Sequence, residues 1–547
     1  MFIRFKPIAN SSRKRVQICA CIRVGDKVKQ KVIRHVGIAE NDSHLEELQK
    51  LAETIKFKIK EEQEGPSLFD INLPPTQKEE IKKISKLQQE KAPKSEKTPV
   101  NIESLKEESR VVDGFHDIFG TLFNQLGFHK FLGAAHSSVL RDVVLARIAS
   151  PASKLATQQI LAADFGRDIE LDRIYRMMDV LQEKKEEVQK AVFNATQQLC
   201  FGKVDLLLFD VTTLYFESTQ EDPLRAFGYS KDQKFHSVQV VLALATASNG
   251  LPIGYQLFPG NTADVSTLIA CIDKWKEFLP IGEVRIVADR AMMSEKNLKF
   301  LEEKKISYVV AAKLKKQSKH IREEILACSK EKSGVVLDTA TEGRRLLVTF
   351  CLERYAKDSK DRTRVLEKIA KKIGKGKNAK KLVSNSGYQK YLSCEGEADL
   401  FINEEKIAQD AAWDGYHGVI TNCTDEKAEE LLSQYRRLWV IEESFRIQKH
   451  NLSLRPIYHF KPERIEAHII ICYMAFALMR HLEFRVAIQK EAISMNQMRS
   501  ELWRVQSSYL MDTDTEKKYR LPSAMSVIAK KIYQVMGIKR TQVVQEM

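Results

Sequence analysis

Residues 206–217, LLLFDVTTLYFE, form an apolar, aromatic and β-branched run that predicts a core strand, and one carboxylate, Asp210, stands inside it. A carboxylate is costly to bury unless it is hydrogen-bonded, paired or bound to a metal. Taken alone, Asp210 also fits a residue that accepts hydrogen bonds from a turn into Thr212 and Thr213. The next segments of the chain bear on the choice. KFHSVQVVLALAT (234–246), an Asn249-Gly250 turn and LPIGYQLF (251–258) predict an antiparallel meander with the first strand. ADVSTLIACIDKWKEFL (263–279) has helical periodicity and EVRIVAD (283–289) reads as a short buried strand. SEKNLKFLEEKK (294–305) is again a helix, and SYVVAAK (307–313) again a strand.

The order β-β-β-α-β-α-β, followed by a helix from about 425 to 450, matches a ribonuclease H-like α/β core, a mixed sheet with helices on its faces. In such a sheet the first and fourth strands are neighbours. Asp210 and Asp289, which ends the fourth strand before the turn RAMMS, then converge. Carboxylates placed so can hold Mg²⁺, and a pair of ions can serve phosphodiester chemistry. Asp289 alone also fits a strand-end cap.

A third acid is offered by SQYRRLWVIEESFRIQKHN (433–451). Tyr435, Glu442 and Lys449 are spaced by seven, so on an unbroken helix they form one stripe with about 20° of drift per step. Arg446 lies one turn beyond Glu442. The plain alternative is a surface helix with ordinary Glu-to-Arg pairing.

The combination FDVTTLYF, IVADRAMMS and YRRLWVIEESFRIQK resembles the DDE transposases of bacterial and archaeal insertion sequences, in the superfamily named after insertion sequence four. The resemblance extends through RDVVLARIASPASKLAT (141–157), WDGYHGVITN (413–422) and RPIYHFKPERIEAHIIICYMAFALM (455–479). It implies Asp210, Asp289 and Glu442, rather than Glu443, as catalytic residues and ligands of two Mg²⁺ ions, with Mn²⁺ as a substitute. Tyr435, Arg446, Lys449 and Arg290 would contact DNA phosphates, Arg290 alternatively bracing its turn. It further implies cleavage at terminal inverted repeats, joining of 3′-hydroxyl ends to target DNA, and a homodimer in the synaptic complex. Leu438 occupies the position of the signature Arg, and Arg436 and Arg437 point roughly 160° and 100° away from it. Two other readings stay open: a transposase-derived DNA-binding protein without catalysis, and a structure-specific nuclease on the same core.

Composition agrees with a DNA partner. Of a formal net charge of +15 over 547 residues, residues 311–390 carry most, with 22 Lys and Arg against 9 Asp and Glu. The Lys-rich KKIGKGKNAKK (371–381) is expected to touch DNA backbone. Nine scattered cysteines suggest a reducing, cytoplasmic setting without structural metal. The N-terminus lacks the apolar core of a signal peptide. The longest apolar run, HIIICYMAFALM (468–479), is shorter than the roughly 20 residues of a membrane span and is expected to be a buried helix. Trp413 and Trp439 are expected to be buried. His236, His417, His450 and His459 show no ligand spacing and read as structural or phosphate-neighbouring.

The expected organisation is an N-terminal β-hairpin and helix unit (1–62), a charged linker (63–110) and an α-helical DNA-end-binding or assembly unit (111–200). The ribonuclease H-like core occupies two later parts (201–312 and 411–485), interrupted by a basic, β-rich insertion (313–410) and succeeded by a C-terminal helical region (486–547).

Overall fold

The computed structural model describes residues 2–7, 14–24, 27–39, 101–200, 204–228, 236–279, 284–292, 294–341, 343–373, 390–395, 399–489 and 493–547, with a few more between 45 and 52. These divide into two units, residues 112–482 and residues 1–111 with 483–547.

The larger unit begins with helices. α1 (Ala134–Ala149) stops at Ser150-Pro151, where the proline cannot continue the hydrogen-bond ladder. Ser153 then caps α2 (Lys154–Phe165), its Oγ accepting from Ala156 N–H at 3.2 Å, and Gly166 closes that helix in a left-handed conformation. α3 (Leu171–Leu181) and α4 (Lys185–Leu199) come next.

The quoted stretch forms β1 (Leu206–Tyr215), in which every residue except Asp210 and Tyr215 is buried. An apolar run on both faces is what a central strand requires. β1 pairs antiparallel with β2 (Gln239–Ala247), and β2 antiparallel with β3 (Pro252–Pro259). Between them Gly250 takes φ 80°, and Leu251 N–H donates to Asn249 Oδ1 at 3.1 Å. α5 (Asp264–Phe278) lays Trp275 edge-on to Phe209, ring centroids 6.1 Å apart. The chain then enters β4 (Arg285–Ala288), parallel to β1, and passes through α6 (Glu295–Glu303) to β5 (Ser307–Ala311), parallel to β4. The sheet order β3-β2-β1-β4-β5, with β2 alone reversed, is the ribonuclease H-like core expected from the sequence.

The basic segment is woven into this sheet. After α7 (Lys319–Ala327), the hairpin β6 (Gly334–Thr341) and β7 (Arg344–Phe350) joins the core through β8 (Tyr416–Thr421), giving the order β6-β7-β8-β5. α8 (Leu352–Ile373) leads away from the hairpin, while a two-stranded ribbon, Leu392–Glu395 with Asp399–Ile402, and α9 (Glu404–Ala411) lead back. Nearly all of KKIGKGKNAKK, from residue 374 on, lies outside the described residues. Past β8 come α10 (Ala428–Arg436), α11 (Trp439–Arg446) and α12 (Pro462–Gln489). α12 extends the expected apolar helix to 28 residues, and 89% of its most apolar window is buried within the protein.

In the smaller unit, Phe2–Pro7, Lys14–Val24 and Lys27–Ala39 form an antiparallel sheet. Most of the helix expected within the 1–62 unit lies outside the described residues, as does the linker up to residue 100. Two expectations need correction. Leu105–Val112 is a strand, not linker, and it pairs in a sheet with Gln506–Asp512. It reads as featureless charge because Lys106 to Arg110 are all exposed, so this edge strand has no buried face along most of its length to demand apolar alternation. The C-terminal region is mixed rather than helical: Gln506–Asp512 and Lys518–Pro522 form a hairpin between helices Met495–Trp503 and Val527–Met536. The turn is held by Asp512, whose carboxylate accepts from Asp514 N–H and Thr515 Oγ1–H at 3.0 and 2.7 Å.

Candidate active site

Parallel pairing sets Phe209 beside Ala288, so Asp210 and Asp289, the next residue of each segment, lie abreast where β4 ends. Asp210 is half-buried among buried neighbours, and its Oδ1 accepts from Val211 N–H at 2.7 Å. Thr212 and Thr213 continue β1 opposite Leu242 and Val241, which removes the turn that Asp210 was alternatively expected to serve. Asp289 is exposed, and its carbonyl oxygen accepts from Met292 N–H at 3.0 Å across a short 3₁₀ turn that presents Arg290 to solvent.

Glu442 sits in the first turn of α11, the helix packed against β1, where its charge also suits the helix dipole. The continuous helix expected over 425–450 is not what forms. α10 ends at Arg436, and bonds spanning three residues, Arg437 N–H to Gln434 O at 3.1 Å and Leu438 N–H to Tyr435 O at 3.0 Å, carry the chain into α11. Beyond Arg446 the segment Ile447–Asn451 is wound as a π-helix. The even seven-residue stripe is therefore corrected, since its angles assume 3.6 residues per turn throughout. The tight step has a packing reason. It turns Leu438, 8% exposed, into the interior and leaves Trp439, expected to be buried, 59% exposed. Trp413, also expected to be buried, is half-buried against the core.

Tyr435 lies within the field of two of the acids. Burial, then the negative charge of Asp289 and more weakly that of Glu442, push its phenol up to about 12. His417 of β8 packs on the Tyr435 ring, centroids 5.0 Å apart at 37°. Burial, and next the Arg354 guanidinium, hold its imidazole down at about 4, with Arg290 and Arg436 adding to the effect and Asp289 opposing it. Arg354 is supplied by the first turn of α8, out of the basic segment. Arg354 was not anticipated from the sequence, and His417 was expected only as one of several structural or phosphate-neighbouring histidines. The only sequence signals for them were the strand GYHGVIT and the local positive charge.

Arg446 pairs with Glu443 rather than Glu442, at 3.2 Å on the surface, and Lys449 lies half-buried in the π-helical segment. The donor set is all carboxylate oxygen, the chemistry that Mg²⁺ takes. Among the described residues no three His, Cys, Asp or Glu side chains are gathered tightly enough to hold an ion. Asp210 and Asp289 lie abreast, and Asp289 and Glu442 both act on Tyr435, without the three closing into a ligand cluster.

A ribonuclease H-like sheet bearing one aspartate on each of two adjacent parallel strands, with a glutamate on a helix packed against them, defines a class of nucleic-acid-processing folds. Within that class, residues 202–478, just over half of the chain, match the family model described as "Transposase DDE domain", and the chain belongs to that family. It is a transposase by family, an enzyme type that cuts and joins DNA. No curated protein matches its sequence. Among solved structures, the piggyBac transposase synaptic complex with hairpin DNA is a remote likeness, at 10% identity and a TM-score of 0.38 over 72% of this chain and 77% of that one.

Proposed function

We propose that the chain mobilises a bacterial or archaeal insertion sequence of the group named after insertion sequence four, cutting DNA at the terminal inverted repeats and joining the 3′-hydroxyl ends to target DNA. The observation that carries this is Asp210 and Asp289 abreast on β1 and β4, with Glu442 on the helix packed against β1. In this reading the three acids would hold Mg²⁺, or Mn²⁺ in its place. Bound there, such ions supply Lewis-acid polarisation of the scissile phosphate and acidify water.

The chain's own residues bind and orient. Asp210 is fixed by its buried strand neighbours and by Val211 N–H. Tyr435 keeps its proton at any physiological pH, since its phenol titrates at about 12, and so donates a hydrogen bond to a phosphate oxygen. Arg290, Arg446 and Lys449 hold neighbouring phosphates, and Arg354 supplies a further cation beside Tyr435 and His417. His417, neutral above pH 5, braces the Tyr435 ring without adding charge. The protein would act in the cytoplasm, as a dimer that pairs two ends.

The test is incubation with Mg²⁺ and linear DNA carrying the repeats that flank the gene. Nicks at the repeat boundary are expected. Absence of cleavage there, or equal cleavage of DNA without the repeats, contradicts the proposal.

A further inference from the structure

The motif ARIASPASKLAT plays no part in the site above, yet it buries two cations. Arg147, in the last turn of α1, and Lys154, the first residue of α2, are each 4% exposed. His468 of α12, 5% exposed, brings Nδ1 to 3.5 Å from Lys154 Nζ, while its Nε2 lies 3.3 Å from the Leu454 carbonyl oxygen. His459 packs on His468 with ring centroids 5.5 Å apart, and Cys472 Sγ lies 3.8 Å from His468 Nε2. Lys154 lies in the field of Arg147, and both histidines lie in the field of both cations.

No carboxylate balances this cluster among the described residues. The nearby Arg464 is already paired with Asp179, at 2.7 and 2.9 Å. An arginine cannot shed its charge, and a buried charge without a partner costs several kcal/mol. Lys154 is held down at about 7, by burial and then by the charge of Arg147, and its protonated form also opposes the macrodipole at the helix N-terminus. An anion bound here would offset the charge of Arg147 and favour the protonated form of Lys154.

We propose that Arg147 and Lys154, with the N-terminus of α2 beside them, form a binding site for a phosphate group, supplied by the DNA backbone rather than by a free anion. The choice of DNA rests on the transposase reading and on continuity with the acids. Lys449 lies in the π-helical segment after α11, and the loop beyond it folds back, Leu454 N–H donating to Gln448 O at 3.0 Å, before Leu454 O meets His468. Ile457 then bridges to Phe216 just past the end of β1. Tyr458 and Phe460, 61% and 65% exposed, flank His459 where the cluster meets the surface. A strand leaving the acids past Lys449 runs along this path.

The test compares the full chain with Lys154→Met and Arg147→Gln. Thermal unfolding is recorded in sodium chloride and in sodium phosphate at equal ionic strength, and affinity for a DNA duplex is titrated against salt. The expected variants melt no lower than wild type in chloride, because a buried guanidinium or amine with no carboxylate beside it has been removed. They bind duplex about tenfold more weakly, with the salt slope reduced by about one. Stabilisation of wild type by inorganic phosphate, absent in the variants, supports the site. If that stabilisation is lost while duplex affinity and slope stay at wild-type values, the phosphate is a free anion and the DNA assignment is overturned. Variants that melt lower in chloride yet respond like wild type to phosphate and duplex overturn the proposal, leaving the cations structural. Repeat cleavage is read separately: a wild type that binds duplex through Lys154 but cuts no repeat contradicts the transposase reading and leaves this site standing.

Discussion

Asp210 is the break in an otherwise buried run from Leu206 to Leu214, which is why it can be rigid and reachable at once. Its neighbour on the adjoining strand, Asp289, is exposed, with its backbone carbonyl accepting from Met292 N–H, so the two acids differ in exposure rather than in kind. Arg446 illustrates the opposite case. Its ion pair with Glu443 is exposed and contributes well under about 1 kcal/mol. Arg446→Ala is therefore expected to change urea-unfolding stability by no more than about 0.5 kcal/mol. The same change should lower the salt slope of duplex binding by about one. A large loss of stability with an unaltered slope would show Arg446 to be structural. At this scale the two aspartates were legible, because each ends or interrupts an apolar run. Arg354 was not, and His417 only as one histidine among four, since both reach Tyr435 from segments distant in sequence.

The helices carry a sharper lesson about elements. Periodicity indicated one helix through Tyr435, Glu442 and Lys449, and the family resemblance, not the spacing alone, singled out Glu442 as the acid. The step at Arg437 and Leu438 left no trace in the pattern, because Leu438 and Trp439 are both apolar and either could have faced the core. Leu438 is no vacancy left by a missing arginine but a buried anchor. Leu438→Arg, which restores the signature residue, is expected to bury a cation and cost about 2 kcal/mol or more by urea unfolding, without raising cleavage. A stable and more active variant would show that the position still faces the DNA. Behind the acids, Trp275 packs on Phe209 and clamps β1 from the helix side. Trp275→Ala should cost about 3–5 kcal/mol by the same measurement; a loss below about 1 kcal/mol would mean that β1 is held from its other face.

For the molecule as a whole, the order of core elements could be read along the chain because each strand was apolar and each helix amphipathic. The Leu105–Val112 edge strand and the C-terminal hairpin were hidden, being polar strands, the first of them with its pairing partner far off in sequence. Buried histidines give the protein a pH limit. His459 is held down at about 3, first by burial and then by Lys154 and Arg147, and His468 well below its ordinary value for the same reasons. A base whose folded pKa is depressed leaves stability intact above its unfolded value near 6.5 and removes it as pH falls below that. The urea midpoint is thus expected to be lower at pH 5 than at pH 7.5, and His459→Gln to shrink that difference. An equal difference in the variant would assign the acid sensitivity elsewhere.

If Asp210, Asp289 and Glu442 act together on DNA, removing the charge of any one of them stops the reaction while its neighbours in sequence are dispensable. Single-turnover strand cleavage at the repeat boundary decides this, run with wild type, Asp210→Asn, Glu442→Gln and Glu443→Gln, each checked for unchanged melting and duplex affinity. Asp210→Asn and Glu442→Gln are expected to abolish cleavage and Glu443→Gln to retain it. Cleavage that survives in Glu442→Gln and is lost in Glu443→Gln would refute the assignment of Glu442 as the third acid.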